Sequence, residues 1–139
     1  MKSGIYKLIF IIALSLTAYS CNTDDDNNTN QDFNGTYNGT FTVEYANGET
    51  FSNPVIVSFT KENAYQSSQN NDFFPAGGNG TYEKGNSTIN FTDINFWLAN
   101  FDWNLILDGK YNYSKNGNKL IISANKNNVG FYKYDLVKQ

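Results

Sequence analysis

The residue with the most distinctive chemistry is Cys21, the single cysteine of a chain that has no histidine and no arginine. A lone cysteine cannot close an intramolecular disulfide, so its thiol is left for another covalent role. Without histidine the commonest proton shuttle and metal ligand is missing, and without arginine so is the bidentate clamp for anions. Neither a Ser–His nor a Cys–His pair can be assembled. Carboxylates remain. Asp93, Asp102 and Asp108 could supply a glycosidase-like pair, which only their proximity in sequence supports. Asp93 also suits a helix cap, however, and Asp108 a turn. Asp24, Asp26 and Asn28 have calcium-loop spacing but lack the turn glycine and the closing glutamate. No catalytic residue, no metal site and no cofactor is expected.

What surrounds Cys21 decides what its thiol is for. Lys2 and Lys7 give a positive start, Leu8 to Leu16 is an apolar run, and small residues lead into the cysteine. A bilayer span needs about 20 apolar residues, and this run is far shorter. Residues 1–20 therefore read as an export signal, with Ser20 before Cys21. The segment resembles a bacterial lipoprotein signal, which implies lipidation of Cys21 after cleavage. The alternative is ordinary secretory cleavage, leaving a soluble protein with a free thiol. Two or three acyl chains would hold the protein firmly, since one alone binds only marginally. Asp24-Asp25-Asp26 resembles the surface-export signal of Bacteroidota lipoproteins, which implies an outer-membrane lipoprotein displayed at the cell surface. As a solvated spacer the same run repels itself and stays extended. Residues 21–32 hold no apolar side chain after the cysteine and are expected to form an unfolded tether.

Residues 33–139 are long enough for one domain with its own core. Beyond residue 20 the chain keeps 8 lysines against 13 acidic residues, a difference of −5. That balance argues against nucleic acid, which needs a basic patch to neutralise phosphates. The 11 Phe, 10 Tyr and 2 Trp, with abundant Asn and Gly, make a strand-and-turn vocabulary. Triplets such as Asn34-Gly35-Thr36 and Asn90-Phe91-Thr92 match a glycosylation acceptor but follow from this composition.

The alternation is legible strand by strand. From Gly35 to Tyr45, Tyr37, Phe41, Val43 and Tyr45 share one parity and the polar residues the other. Asn47-Gly48 is a hairpin signal, and the chain returns through Val55, Val57 and Phe59 with Pro54 expected at the strand's first position. A weaker third strand covers Tyr65 to Ser68, a loop fills 70–80, and a fourth strand runs from Thr81 to Lys84. Gly85-Asn86 leads into a fifth, with Ile89 and Phe91 inward. Ile94, Trp97, Leu98 and Phe101 then fall at helical spacing, so the reading predicts a short helix or helical loop near residues 93–101. Leu105, Leu107, Tyr111 and Tyr113 face inward on the sixth strand. Asn116-Gly117 turns into Leu120 and Ile122, and Asn125 to Asn128 into a last strand with Tyr132, Tyr134 and Leu136 on one face.

Eight strands joined mostly by tight turns make an all-β antiparallel up-and-down meander, and closing it into a barrel removes the two raw edges. With Gly35-Thr36-Tyr37, the turn after Phe59, Gly80-Thr81-Tyr82-Glu83 and the aromatic last strand, residues 33–137 resemble the small lipocalin-like lipoproteins of Bacteroidota. The resemblance implies an eight-stranded lipocalin-like barrel and a small apolar ligand. Tyr37 stands where lipocalins carry a tryptophan.

Two places could bind. The lumen of an eight-stranded barrel holds either packed side chains or one small ligand. Its predicted lining is bulky: Tyr37, Phe41, Phe59, Tyr82, Phe91, Tyr111 and Tyr134. The other place is the pair of long connections, which precede strands of like direction and so share one end. Phe73 and Phe74 lie on one, and Trp97, Phe101 and Trp103 on the other. They would either plug that end or form an aromatic platform for a sugar or a partner. The ligand-binding candidates are Phe73, Phe74, Trp97, Phe101, Trp103 and Tyr111. The expected partners are a membrane, through the lipid on Cys21, and a small apolar or sugar ligand or an envelope protein. The competing expectation is a structural or interaction module, including a small hydrolase inhibitor, with a filled barrel.

Overall fold

The computed structural model of the protein describes residues 32–98 and 100–139. The expected signal segment, the lipidation at Cys21 and the tether up to residue 31 lie outside the described residues.

Strand alternation is realised eight times: β1 (Gly35–Tyr45), β2 (Thr50–Phe59), β3 (Ala64–Ser67), β4 (Gly78–Lys84), β5 (Thr88–Asp93), β6 (Gly109–Asn116), β7 (Lys119–Lys126) and β8 (Gly130–Lys138). Each strand pairs antiparallel with the next and β8 returns to β1, giving a closed up-and-down barrel. The seam is as regular as the hairpins, with Phe41 opposite Tyr134 and Val43 opposite Tyr132. The expected turns form where asparagine and glycine offer left-handed backbone: Gly48, Gly117, Asn127 and Asn128 all have positive φ.

The inward parity fills the lumen. Tyr37, Phe41, Val57, Ile89, Leu120, Ile122, Tyr134 and Leu136 are all at 0% exposure, so no water-sized space lies beside them. The rings interlock at an angle, as quadrupoles favour: Tyr37 meets Phe59 at 88° and Phe91 meets Tyr111 at 82°. Phe33, ahead of β1, closes the base of the barrel against Phe59, Tyr82 and Tyr113. Outward positions such as Thr36, Asn38, Thr40, Thr42 and Glu44 on β1 are polar. The wall therefore lacks the apolar band of a barrel that spans a membrane.

Several details differ from the sequence reading. β4 begins at Gly78, inside the expected 70–80 loop and three residues before the strand expected from Thr81. No helix forms at 93–101; the described residues of 94–102 are irregular, and the helical turn is a single 3-10 turn at Trp103–Leu105. The reason is local competition for the backbone. The Asp93 carboxylate accepts from the N–H of Asn95 and the indole N–H of Trp97, so it holds a turn at the point where a helix would have to start. Leu105 and Leu107 are buried as expected, but in the connection before β6 and not on the strand. Pro54 stands in the middle of β2, opposite Thr40. It shares the parity of Ile56, whose N–H points toward Ser68 on the β3 side. β3 ends opposite Val57, so the missing donor falls where no strand needs it.

Candidate functional site

The two long connections, 68–77 and 94–108, meet at one end of the barrel, as their strand directions require. They are zipped together by a parallel bridge between Gly77 and Ile106. The Ala76 N–H donates to the Leu105 carbonyl at 3.1 Å and the Leu107 N–H to the Gly77 carbonyl at 2.8 Å. From below, the buried Tyr65 hydroxyl donates to the Leu107 carbonyl. Ala76, Leu105, Ile106 and Leu107 are buried, and together they seal this mouth of the barrel.

Above the seal the six aromatic candidates part company. Phe73 stacks on Phe101 with centroids 4.8 Å apart, and Trp97 meets Phe101 edge-on at 5.7 Å. Phe74 instead stacks on Phe51, at 4.5 Å. Tyr111 lies in the core against Phe91 and Tyr134, 1% exposed. Trp103 is 60% exposed beside a groove. The structure thus brings Phe73, Trp97 and Phe101 together and leaves Phe74, Trp103 and Tyr111 in three other settings. The irregular stretch 94–98 leaves Ile94, Phe96 and Leu98 exposed, the last two each at 87%. The helical reading put Ile94 and Leu98 on one face with Trp97; in the structure Trp97 packs against Phe101 while Ile94 and Leu98 are exposed.

The three carboxylates are acceptors for the loops. Asp102 receives the hydroxyls of Tyr45 at 3.1 Å and Tyr132 at 2.5 Å, with the backbone N–H and side-chain amide of Asn104. This one side chain ties the long loop to the ends of β1 and β8. Burial and the neighbouring Asp102 charge push both tyrosine pKa values up, so the hydroxyls stay protonated as donors. Asp93 binds Asn79, Asn95 and Trp97, and Asp108 accepts from the Asp93 N–H at 2.9 Å.

Lys126 was not singled out by the sequence reading. It continues the inward parity of Leu120, Ile122 and Ala124, and that parity was the available signal. Its ammonium lies over the Tyr111 ring at 4.4 Å and donates to the Asp108 carbonyl at 2.7 Å. Burial lowers its pKa to about 8, partly opposed by Asp108 and Asp102.

Among the described residues, two open grooves flank the sealed mouth. One, of about 500 Å³, lies between the β1–β2 turn and the β7–β8 turn, lined by Tyr45, Asn47, Glu49, Asp102 and Asn128. The other, of about 380 Å³, is walled by Trp103 and Asn104 on one side and Asn125, Lys126 and Asn127 on the other. Comparison of the chain with models of protein families, with curated proteins and with solved structures finds no match.

Proposed function

We propose that this chain is a lipid-anchored, non-enzymatic module of the cell envelope, akin to the small lipocalin-like lipoproteins of Bacteroidota, that binds a sugar ligand at its loop-bearing end. The observation that carries this reading is a contrast. The lumen is packed solid, while the loop end carries open grooves and an exposed indole. The packed lumen speaks against an apolar ligand held inside the barrel. The non-enzymatic part rests on the absence of histidine and arginine and on three carboxylates already engaged as hydrogen-bond acceptors for the loops. Anchoring rests on the sequence around Cys21, and Asp24-Asp25-Asp26 supports display at the surface.

A second reading, a module that docks on an envelope protein or hydrolase, is favoured by one observation, the outward ridge of Ile94, Phe96 and Leu98. Two experiments test the proposal. Cys21→Ser should move the protein from the membrane fraction to the soluble one; retention in the membrane would refute the anchor. Titration with soluble envelope polysaccharide, followed by amide NMR, should perturb residues in 46–49, 68–77, 94–108 and 125–129. Perturbation centred on the base would place the binding end wrongly. Phe96→Ser with Leu98→Ser should leave that titration unchanged, and loss of a protein contact on the same change would favour the second reading.

A further inference from the structure

The groove beside Trp103 has a composition that selects its ligand. It is open and about 380 Å³ in volume, room for one or two small rings and not for an acyl chain. Trp103 offers an indole that is 60% exposed, large for a solvent-facing position. Opposite it the amides are held in place. The Asn127 side-chain amide donates to the Asn104 carbonyl oxygen at 2.9 Å, and the Asn104 amide donates to Asp102 at 2.8 Å. This chain of bonds joins the 3-10 turn to the β7–β8 turn, so both walls are fixed before any ligand arrives.

Other polar groups along the groove are uncommitted. Among the described residues the side chains of Asn125 and Lys110 make no hydrogen bond, and Asp108 uses only Oδ1. The lining carries Lys110 and Lys126 against Asp108, and Asp102, which lines the neighbouring groove, acts on Lys126 from beside it. With Asp102 counted the charges of each sign are two, so the site has little net attraction for an anion or a cation, but it is rich in donors and acceptors. A flat apolar face beside such a set matches a pyranose ring, which carries C–H groups on its faces and hydroxyls on its rim.

We infer that this groove is a subsite for a neutral pyranose unit, with Trp103 under the ring and Asp108 Oδ2, the Asn125 amide and Lys110 Nζ on its hydroxyls. The inference rests on the sugar-binding reading above and deepens it by naming the subsite and the charge of its ligand. One ring in an open groove buries little, and an affinity of about 1 mM per ring is expected, tightening with a second ring.

The test uses the full chain purified in a sugar-free zwitterionic detergent. The probes are neutral hexasaccharides of β-glucan, α-glucan, mannan, xylan and galactan, with oligogalacturonate as the anionic arm. Binding is read by isothermal calorimetry and by Trp103 fluorescence in a Trp97→Phe background. At least one neutral hexasaccharide should bind saturably and alter the Trp103 emission. Trp103→Ala should weaken it about tenfold or more, the scale of losing a stacked aromatic anchor. Asn125→Ala, at an exposed position that leaves the fold alone, should weaken it several-fold, and Asp108→Asn should do so while keeping the acceptor for Asp93. Binding unaffected by Trp103→Ala and Asn125→Ala overturns the subsite but leaves sugar binding at the loop end standing. Preference for oligogalacturonate overturns the neutral assignment. Failure of every hexasaccharide to bind overturns the subsite and the sugar reading together. A circular-dichroism melt within a few degrees of the parent qualifies each variant for the comparison.

Discussion

At the residue scale the polar groups inside and above the barrel carry the sharpest consequences. The hydroxyls of Tyr37 and Tyr134 are buried without a hydrogen-bond partner. An unsatisfied buried hydroxyl is a cost that a ring of the same shape avoids, so Tyr134→Phe should be neutral or stabilising by about 1 kcal/mol in urea unfolding. Asp102→Ala should do the opposite. It strips the acceptor from Tyr45, Tyr132 and Asn104 at once, and a loss of about 2–3 kcal/mol is expected in the same assay. Lys126 sets a pH dependence. Its folded pKa of about 8 lies below the unfolded value of 10.5. Between those two values the unfolded chain binds more protons at this residue, so stability rises with pH across the window. Below about pH 8 the cost of the buried charge is present in full. Lys126→Met should raise the urea midpoint at pH 7 and flatten the rise between pH 7 and 9. Above pH 10 the trend reverses in both proteins, because Tyr111 and Tyr134 stay protonated when folded and ionise when unfolded.

At the scale of elements, close approach and local bonding decide what pattern alone cannot. Gly39 shares the inward parity of Tyr37 and Phe41, and a Cβ there would lie 2.0 Å from the Asp135 carbonyl oxygen on β8. Both are backbone positions with no side chain to yield. Gly39→Ala should therefore cost about 3 kcal/mol or more, read as a fall in the urea midpoint, or prevent the barrel from closing. The β1 limits, the inward residues and the asparagine–glycine turns were legible because each depends on neighbours two to four positions away. The stretch 93–101 was misread for the complementary reason. Its spacing fits a helical face, but the Asp93 carboxylate bonds locally to Asn95 and Trp97, and the Ile94 N–H is taken by the Asn79 carbonyl on β4. The gathering of Phe73 with Phe101 was legible from strand direction. The separation of Phe74 onto Phe51 was not, because Phe51 belongs to a different hairpin.

At the scale of the whole molecule the barrel is filled by its own side chains. Its lining closes on itself from Phe33 at the base to Leu105–Leu107 at the mouth. Native mass spectrometry with palmitate should accordingly find no one-to-one complex sensitive to Phe41→Ala or Tyr134→Phe. A stoichiometric complex that responds to either change would mean the lumen opens. Phe33 lies at the base of the barrel and the grooves lie at the other end.

Sequence by itself determined the eight alternating strands, their antiparallel order, the turn positions and the bulk of the inward residues, because period and turn chemistry are local properties. It also carried every argument about Cys21 and the absence of histidine and arginine. Only the tertiary structure decided that the lumen is full, that Asp102 joins three distant segments, and that Lys126 reaches over Tyr111. It alone set Trp103 beside a groove. Each of those depends on closing β8 onto β1 and laying two loops across one mouth, which brings together side chains that no local spacing relates.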